Sequence, residues 1–190
     1  MKSLALAASA AALACALPAI ASAQTTTAPT GVYATLGYAD AHTSGVDLGA
    51  IQGRLGYRFN NWLGVEGELA GGVKGDSLDV PTGLTSPATV RADVKLRHQE
   101  AIYGVGFLPL SPQWDLLARV GYGNQKVKVS APGFAGAEAE ANGKSWNYGV
   151  GAQWHWDGMN GIRGDYTREE FTHGSSGHAD VWSVAYSRRF

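Results

Sequence analysis

Apolar and polar residues alternate with a period of two through most of the chain, in segments of about ten residues. Residues 31–40 place Val32, Ala34, Leu36 and Tyr38 on one face. Residues 48–59 set Ile51, Leu55, Tyr57 and Phe59 against Gln52, Arg54 and Arg58, and residues 62–73 set Leu63, Val65, Leu69 and Val73 against Glu66 and Glu68. In residues 99–108 the apolar face reads Ala101, Tyr103, Val105 and Phe107, opposite Glu100, Gly104 and Gly106. Residues 114–123 show Trp114, Leu116, Ala118, Val120 and Tyr122, with Arg119 between them. The clearest alternation is in 144–157, where Trp146, Tyr148, Val150, Ala152, Trp154 and Trp156 oppose Ser145, Asn147, Gly149, Gly151, Gln153 and His155. The weakest is in 161–171, with Ile162, Gly164 and Tyr166 against Arg163, Asp165 and Thr167. The eighth segment, 180–190, carries Trp182, Val184, Tyr186 and Phe190 on one face, with Arg188 among them.

A soluble β-sandwich also alternates, but its apolar face points inward and its outer face is generally charged. Here Trp and Tyr gather near the strand ends, as at the two water–lipid boundaries of a membrane strand. After the N-terminal segment no apolar run approaches the roughly 20 residues of a membrane helix. A closed barrel is then the remaining way to span a bilayer with every backbone group paired. The pattern predicts an all-β chain, an eight-stranded antiparallel up-and-down transmembrane β-barrel over 31–190.

Connection lengths predict the topology. Asn60-Asn61, Ser111-Pro112-Gln113 and Gly158-Met159-Asn160 are short and built largely from turn-forming residues. The others, near 41–46, 74–98, 124–143 and 172–179, are longer. Barrels of the outer membrane put short turns in the periplasm and long loops outside, so both termini are expected in the periplasm. Two of the long connections are expected to contain strand extensions. Val90, Ala92, Val94 and Leu96 alternate with Arg91, Asp93, Lys95 and Arg97, and Lys126-Val-Lys-Val129 behaves the same way. The stretches 81–87 and 131–143 are mostly polar, turn-forming or Ala/Gly-rich and offer surface for contacts.

The N-terminus has the three parts of a secretory signal: Lys2, an Ala/Leu-rich run over 4–20, and Ala21-Ser22-Ala23 before Gln24. Cleavage there is expected to remove 1–23 and leave 24–30 as a short periplasmic segment. The competing lipoprotein signal, with Cys15 after Ala14, has Ala12 where a bulkier residue is usual. The mature chain of 190 − 23 = 167 residues then contains no cysteine and forms no disulfide. Without Lys2 it carries 14 basic and 16 acidic residues, a net charge of −2 that leaves no footprint for nucleic acid.

An eight-stranded barrel encloses a space that side chains fill, unlike a large porin. The expected inward charges are Arg54, Arg58, Glu66, Glu68, Glu100, Arg119, Arg163 and Asp165, four of each sign. Charges removed from bulk water must balance in this way. Glycines at 104, 106, 121, 123, 149 and 151 are expected to leave room for the long side chains opposite. The set reads as a structural plug of salt bridges, with a gate that exchanges partners as the alternative.

Several motifs together resemble the family of small outer-membrane barrels that includes the transmembrane domain of outer membrane protein A. They are GVYATLGY (31–38), RLGYRFN (54–60), GVEGEL (64–69), ARVGYG (118–123), YGVGAQ (148–153) and GIRGDYTR (161–168). The closing strand, with Trp182, Tyr186 and terminal Phe190, resembles the signal by which such proteins reach the barrel-insertion machinery. The resemblance implies a monomer among outer-membrane lipids in a Gram-negative envelope. It also implies roles in envelope integrity, surface interaction or weak conductance. The second, peptidoglycan-binding domain of outer membrane protein A has no counterpart after the last strand, so its anchoring role is not expected.

Some barrels of this kind modify lipid A with a His, a Ser and a carboxylate at the outer rim. His42-Thr-Ser44 and His173-Gly-Ser175 have a suitable spacing, but both fall in loops without a neighbouring membrane-facing carboxylate. A barrel protease would need more strands and acidic pairs at the mouth. His42, His98, His173 and His178 lack metal-ligand spacing on a regular element, and Gly149-Val-Gly151 has no following helix to cradle a phosphate. No catalytic residue, metal or cofactor is expected.

Overall fold

The computed structural model of the protein describes residues 30–43, 46–81, 89–130, 138–172 and 177–190. The expected signal peptide, 1–23, and all but the last residue of the segment 24–30 lie outside the described residues. The strands are β1 (Gly31–Thr43), β2 (Val46–Arg58), β3 (Leu63–Lys74), β4 (Asp76–Pro81), β5 (Thr89–Pro109), β6 (Trp114–Ser130), β7 (Glu138–His155), β8 (Asn160–Phe171) and β9 (His178–Arg189). Neighbouring strands pair antiparallel in chain order, β1 pairs with β9, and β3 pairs directly with β5. Eight strands therefore close an up-and-down barrel, as the dyad pattern predicts. The short β4 pairs with β5 beyond the barrel wall. The expected strand extensions are present as well. Beyond the last β7–β8 pair, Ser145 with Phe171, β5, β6 and β7 continue as a projecting sheet that β4 joins at its edge.

Three short turns mark one end of the barrel. At Asn60 the side-chain oxygen accepts hydrogen bonds from the Trp62 and Leu63 amides at 2.8 and 2.9 Å. Ser111 Oγ does the same for Gln113 and Trp114 at 3.2 and 3.1 Å. Between β7 and β8, Asp157 accepts from the Asn160 side chain at 2.6 Å and from the amides of Asn160 and Met159 at 2.5 and 3.0 Å. The Asn160 side-chain hydrogen bond, aided by these amides, holds the Asp157 carboxyl below its ordinary range. Gly158 follows with φ of +82°, a conformation that favours glycine. Local side-chain caps of this kind let a four-residue connection reverse the strand without leaving these amides unpaired.

The outer wall is apolar, and aromatic rings form two girdles. Toward the turns, Trp114 stacks on Trp154 at 6.1 Å, Trp154 meets Trp156 at 6.1 Å, and Trp156 meets Tyr186 at 6.3 Å. Toward the loops, Tyr122 lies 5.4 Å from Trp146, and Tyr166 lies 4.9 Å from Trp182. Trp182 and Phe190 are eight residues apart on one face, and at about 3.4 Å per residue and about 40° of tilt they stand roughly 20 Å apart in height. That matches the apolar band of an outer-membrane barrel. On β7, Val150 stands four residues from Trp146 and four from Trp154 and is 58% exposed on the outer wall. Val150→Arg is expected to cost about 2–4 kcal/mol, because it places a cation near mid-bilayer. Urea unfolding of the barrel refolded into phosphatidylcholine vesicles, followed by tryptophan fluorescence, measures the loss.

One strand faces opposite to its sequence reading. In β5 the side chains of Tyr103, Val105 and Phe107 are buried in the lumen, whereas Glu100 and Ile102 are exposed outside with Gly104. A one-residue change of parity exchanges the two faces of a strand. The cause is volume on both sides of the wall. Tyr103 pairs with Gly121 and Glu66, and a Cβ at Gly121 would sit 2.5 Å from the Tyr103 ring. The lumen here has space for a ring, and flanking Val65 and Val120 supply the lipid face that Gly104 leaves bare. A bulge between Leu96 and His98 shifts the register. Leu96 above it and Tyr103 below it can then both point inward despite opposite sequence parity.

Candidate functional site in the barrel lumen

The lumen is the most heavily built part of the molecule. Among the described residues its buried charges are Arg54, Arg58, Arg119, Arg163 and Arg189 against Glu66, Glu68, Asp115, Asp165 and Glu169. Five cations and five carboxylates again balance. Seven of the eight expected residues are there. Glu100 is not: it lies on the outer face of β5 and accepts a hydrogen bond from Asn124 Nδ2 at 3.2 Å. Asp115, Glu169 and Arg189 replace it, and all three follow the inward parity of their own strands. Of the inward glycines expected, 121, 123, 149 and 151 face the lumen, while 104 and 106 face outward with Glu100.

The charges form layers. In the central layer Arg163, on β8, donates from both Nη atoms to the two Glu66 oxygens, with Nη2–Oε2 at 3.2 Å, and from Nε to Asp165 at 2.9 and 3.1 Å. Arg54, on β2, reaches Asp165 at 2.7 Å and Glu68 at 2.8 Å. Arg119, on β6, reaches Glu68 at 3.1 Å and also donates to Thr167. Two tyrosines finish the carboxylates: Tyr33 donates to Glu66 at 2.8 Å and Tyr103 to Glu68 at 3.2 Å. Tyr103 in turn accepts from Asn147 at 2.9 Å, and the Arg119 guanidinium lies 4.5 Å from its ring centre. Three arginines thus face three carboxylates from strands all around the barrel, so the network clamps distant strands together.

A second, smaller cluster lies at the turn end. Asp115 accepts from Arg58 at 3.2 Å on each oxygen, from Arg189 at 2.5 Å and from Gln153 at 2.9 Å. Arg58 also donates to the Asn61 carbonyl at 2.6 Å and lies 4.2 Å above the Phe107 ring. Nearby, Arg189 Nη1 and His155 Nδ1 are buried without a hydrogen-bond partner among the described residues. Between the two clusters an apolar layer of Tyr33, Val105, Phe107 and Leu117 fills the bore. Toward the loops, Gln99 donates to Glu169 at 2.5 Å. Beyond that pair, Val46, Leu48, Ala50, Ala70 and Leu96 form a second apolar layer, with Ala41, Val94 and Val127 packed against it.

Among the described residues, the candidate catalytic and metal-binding residues form no cluster of three or more metal-ligating side chains. His42 is exposed at the loop end of β1 and pairs with Asp47, His98 is exposed on β5, and His178 is 3.8 Å from Asp180. Ser44, His173 and Ser175 lie outside the described residues. Trp182, Tyr186 and Phe190, the expected insertion signal, all point outward from the last strand. The guanidinium of Arg188 on the same face lies 5.7 Å from the Phe190 ring.

Comparison with known proteins places this geometry. No curated protein matches the chain by sequence. Among solved structures it is similar to Ail, the attachment invasion locus protein of Yersinia pestis, with 20% identity, a TM-score of 0.59, and coverage of 85% of this chain and 99% of that one. Neisserial surface protein A has 13% identity and a TM-score of 0.58, covering 86% and 99%. OprG from Pseudomonas aeruginosa has 10% identity and a TM-score of 0.57, covering 88% and 99%. At these identities the likeness is one of fold. The family model described as outer membrane protein beta-barrel domain matches residues 7–190. With eight strands closed around an ion-paired lumen and an aromatic-bounded apolar wall, the chain belongs to the outer membrane protein beta-barrel family of Gram-negative bacteria.

Proposed function

We propose that the protein is a monomeric structural and surface-interaction component of the outer membrane, with a filled lumen and no catalytic role. The observation that carries this reading is the layering of the bore. Two ion-paired clusters alternate with two apolar layers, so a hydrated ion meets both a fixed charge network and a dry constriction. In this reading residues 1–23 are the cleaved export signal, 24–30 a periplasmic lead-in, and the capped short turns and both termini lie in the periplasm. Trp182, Tyr186 and Phe190, sharing one outward face, serve recognition by the insertion machinery. The loops and the projecting sheet then face the cell exterior, where an envelope or surface partner meets them.

A narrow gated channel is the rival, and one observation favours it. Arg119 Nη1 is 3.1 Å from Glu68 and 3.9 Å from Glu66, so it has a second carboxylate within reach of a small motion. Single-channel recording in planar bilayers separates the two readings. The filled barrel is expected to give no reproducible steps. Steps that change in Glu66→Ala or Arg119→Ala would transfer the lumen network from a structural role to a gating one.

A further inference from the structure

The five cations and five carboxylates of the lumen balance overall but not layer by layer. In the central layer Arg54, Arg119 and Arg163 face Glu66, Glu68 and Asp165, three against three. At the turn end Arg58 and Arg189 share Asp115, two against one. Glu169, the fifth carboxylate, lies toward the other end of the bore. It is eight residues along β8 from Gly161, which pairs with His155 and Ser187 at the turn end. At about 3.4 Å per residue that is roughly 27 Å along the strand. Asp157, also at the turn end, is exposed and caps its own turn through Asn160 and the Met159 amide. The described side chains therefore leave a surplus positive charge in the turn-end cluster, where desolvation makes an unmatched charge costly.

The hydrogen bonds show where the surplus sits. Asp115 accepts four, from Arg58 Nη1 and Nη2 at 3.2 Å each, from Gln153 at 2.9 Å and from Arg189 Nη2 at 2.5 Å. Two carboxylate oxygens offer roughly four lone-pair sites, so Asp115 is filled. Arg189 Nη1 is left without a partner among the described residues, although Arg189 is only 7% exposed. His155 Nδ1 is a second buried nitrogen in the same position, and Nε2 of its ring lies 3.4 Å from Ser187 Oγ. Arg58, Gln153, Ser187 and Arg189, with Tyr33 and Phe107, line a space of about 10 Å³, room for one water-sized group. Thr30 and Phe190 border the same space and connect it with the turn end of the barrel.

We infer that this space binds one small monovalent anion, a halide such as chloride, against Arg189. The halide accepts the hydrogen bond that Asp115 has no site left to accept, and its charge brings the cluster to neutrality. Water fills the space and accepts the bond but leaves the charge unmatched. A phosphate or sulfate exceeds the space, and its second charge reverses the surplus. The site lies inside the bore, so it does not depend on which end of the barrel faces outward or on whether the central layer is a plug or a gate.

Crystals of the full barrel grown with sodium bromide test the position by anomalous scattering. One bromide peak is expected within hydrogen-bond distance of Arg189 Nη1, and none there in Arg189→Gln. Gln153→Glu keeps both arginines and adds a carboxylate beside Asp115, so it should empty the site as well. Affinity is read in uncharged detergent as protection from urea unfolding by sodium chloride, against sodium methanesulfonate at equal ionic strength. The chloride concentration for half-maximal protection should rise by roughly tenfold or more in either variant, the effect of losing one charge-assisted hydrogen bond. Arg188→Gln, on the outward face of the same strand, should leave both readouts unchanged. A mobility difference between boiled and unboiled samples verifies folding of each variant. Water at the site in bromide-grown native crystals, a bromide peak that persists in Arg189→Gln, or equal protection by the two salts overturns the inference. The native barrel decides between halide and water even where a variant does not refold.

Discussion

Arg163→Ala is expected to destabilise the barrel by about 3–5 kcal/mol, the range for breaking a buried ion pair from one side. Arg163 is 1% exposed and is the main partner of Glu66, which is fully buried. Without it Glu66 keeps the Tyr33 hydroxyl and a distant Arg119, while Asp165 keeps Arg54. Two arginines then face three carboxylates in the central layer. The loss is read from urea unfolding of barrel refolded in vesicles, and from the temperature at which the unboiled gel form disappears. A second variant identifies the cause. Arg163→Leu combined with Glu66→Leu removes both charges together and should cost far less than the sum of the single substitutions. If Arg163→Ala shifts the unfolding free energy by less than about 1 kcal/mol, the central layer behaves as a water-screened surface pair.

The second large effect is expected at the turn end. Among the described residues, Asp115 is the carboxylate that Arg58 and Arg189 share. Asp115→Ala leaves two guanidiniums facing each other in the bore, and about 3–5 kcal/mol of stability should be lost. Arg189→Ala keeps a one-to-one pair of Asp115 with Arg58, itself supported by the Asn61 carbonyl and the Phe107 ring, so it should cost clearly less. The ranking of the two substitutions is the measurement that matters. Equal losses would mean that packing around the strand ends, and not charge balance, sets stability there.

Much of this site could be read from alternation. Strand parity placed Arg54, Arg58, Glu66, Glu68, Arg119, Arg163 and Asp165 inside, because in a closed barrel a residue between two lipid-facing side chains has nowhere else to point. Asp115, Glu169 and Arg189 obey the same parity and were open to the same argument. Each is near a strand end, where a polar side chain reads equally well as part of a turn or rim.

The division of labour between chain and fold is sharpest at β5. The dyad pattern, the turn residues and the aromatic strand ends determined a closed eight-stranded barrel, since these properties belong to each strand or turn separately. They did not determine which face of 99–108 meets lipid, because that segment is apolar at Tyr103, Val105 and Phe107 and also offers Ile102 and Leu108. The choice required the neighbours: Gly121 leaving room for Tyr103 in the lumen, Val65 and Val120 covering the outside of Gly104, and a bulge shifting the register near Leu96. Partner choice within the lumen is collective in the same way. Arg163 and Glu66 are 97 residues apart and meet through barrel closure and register, which no single segment contains.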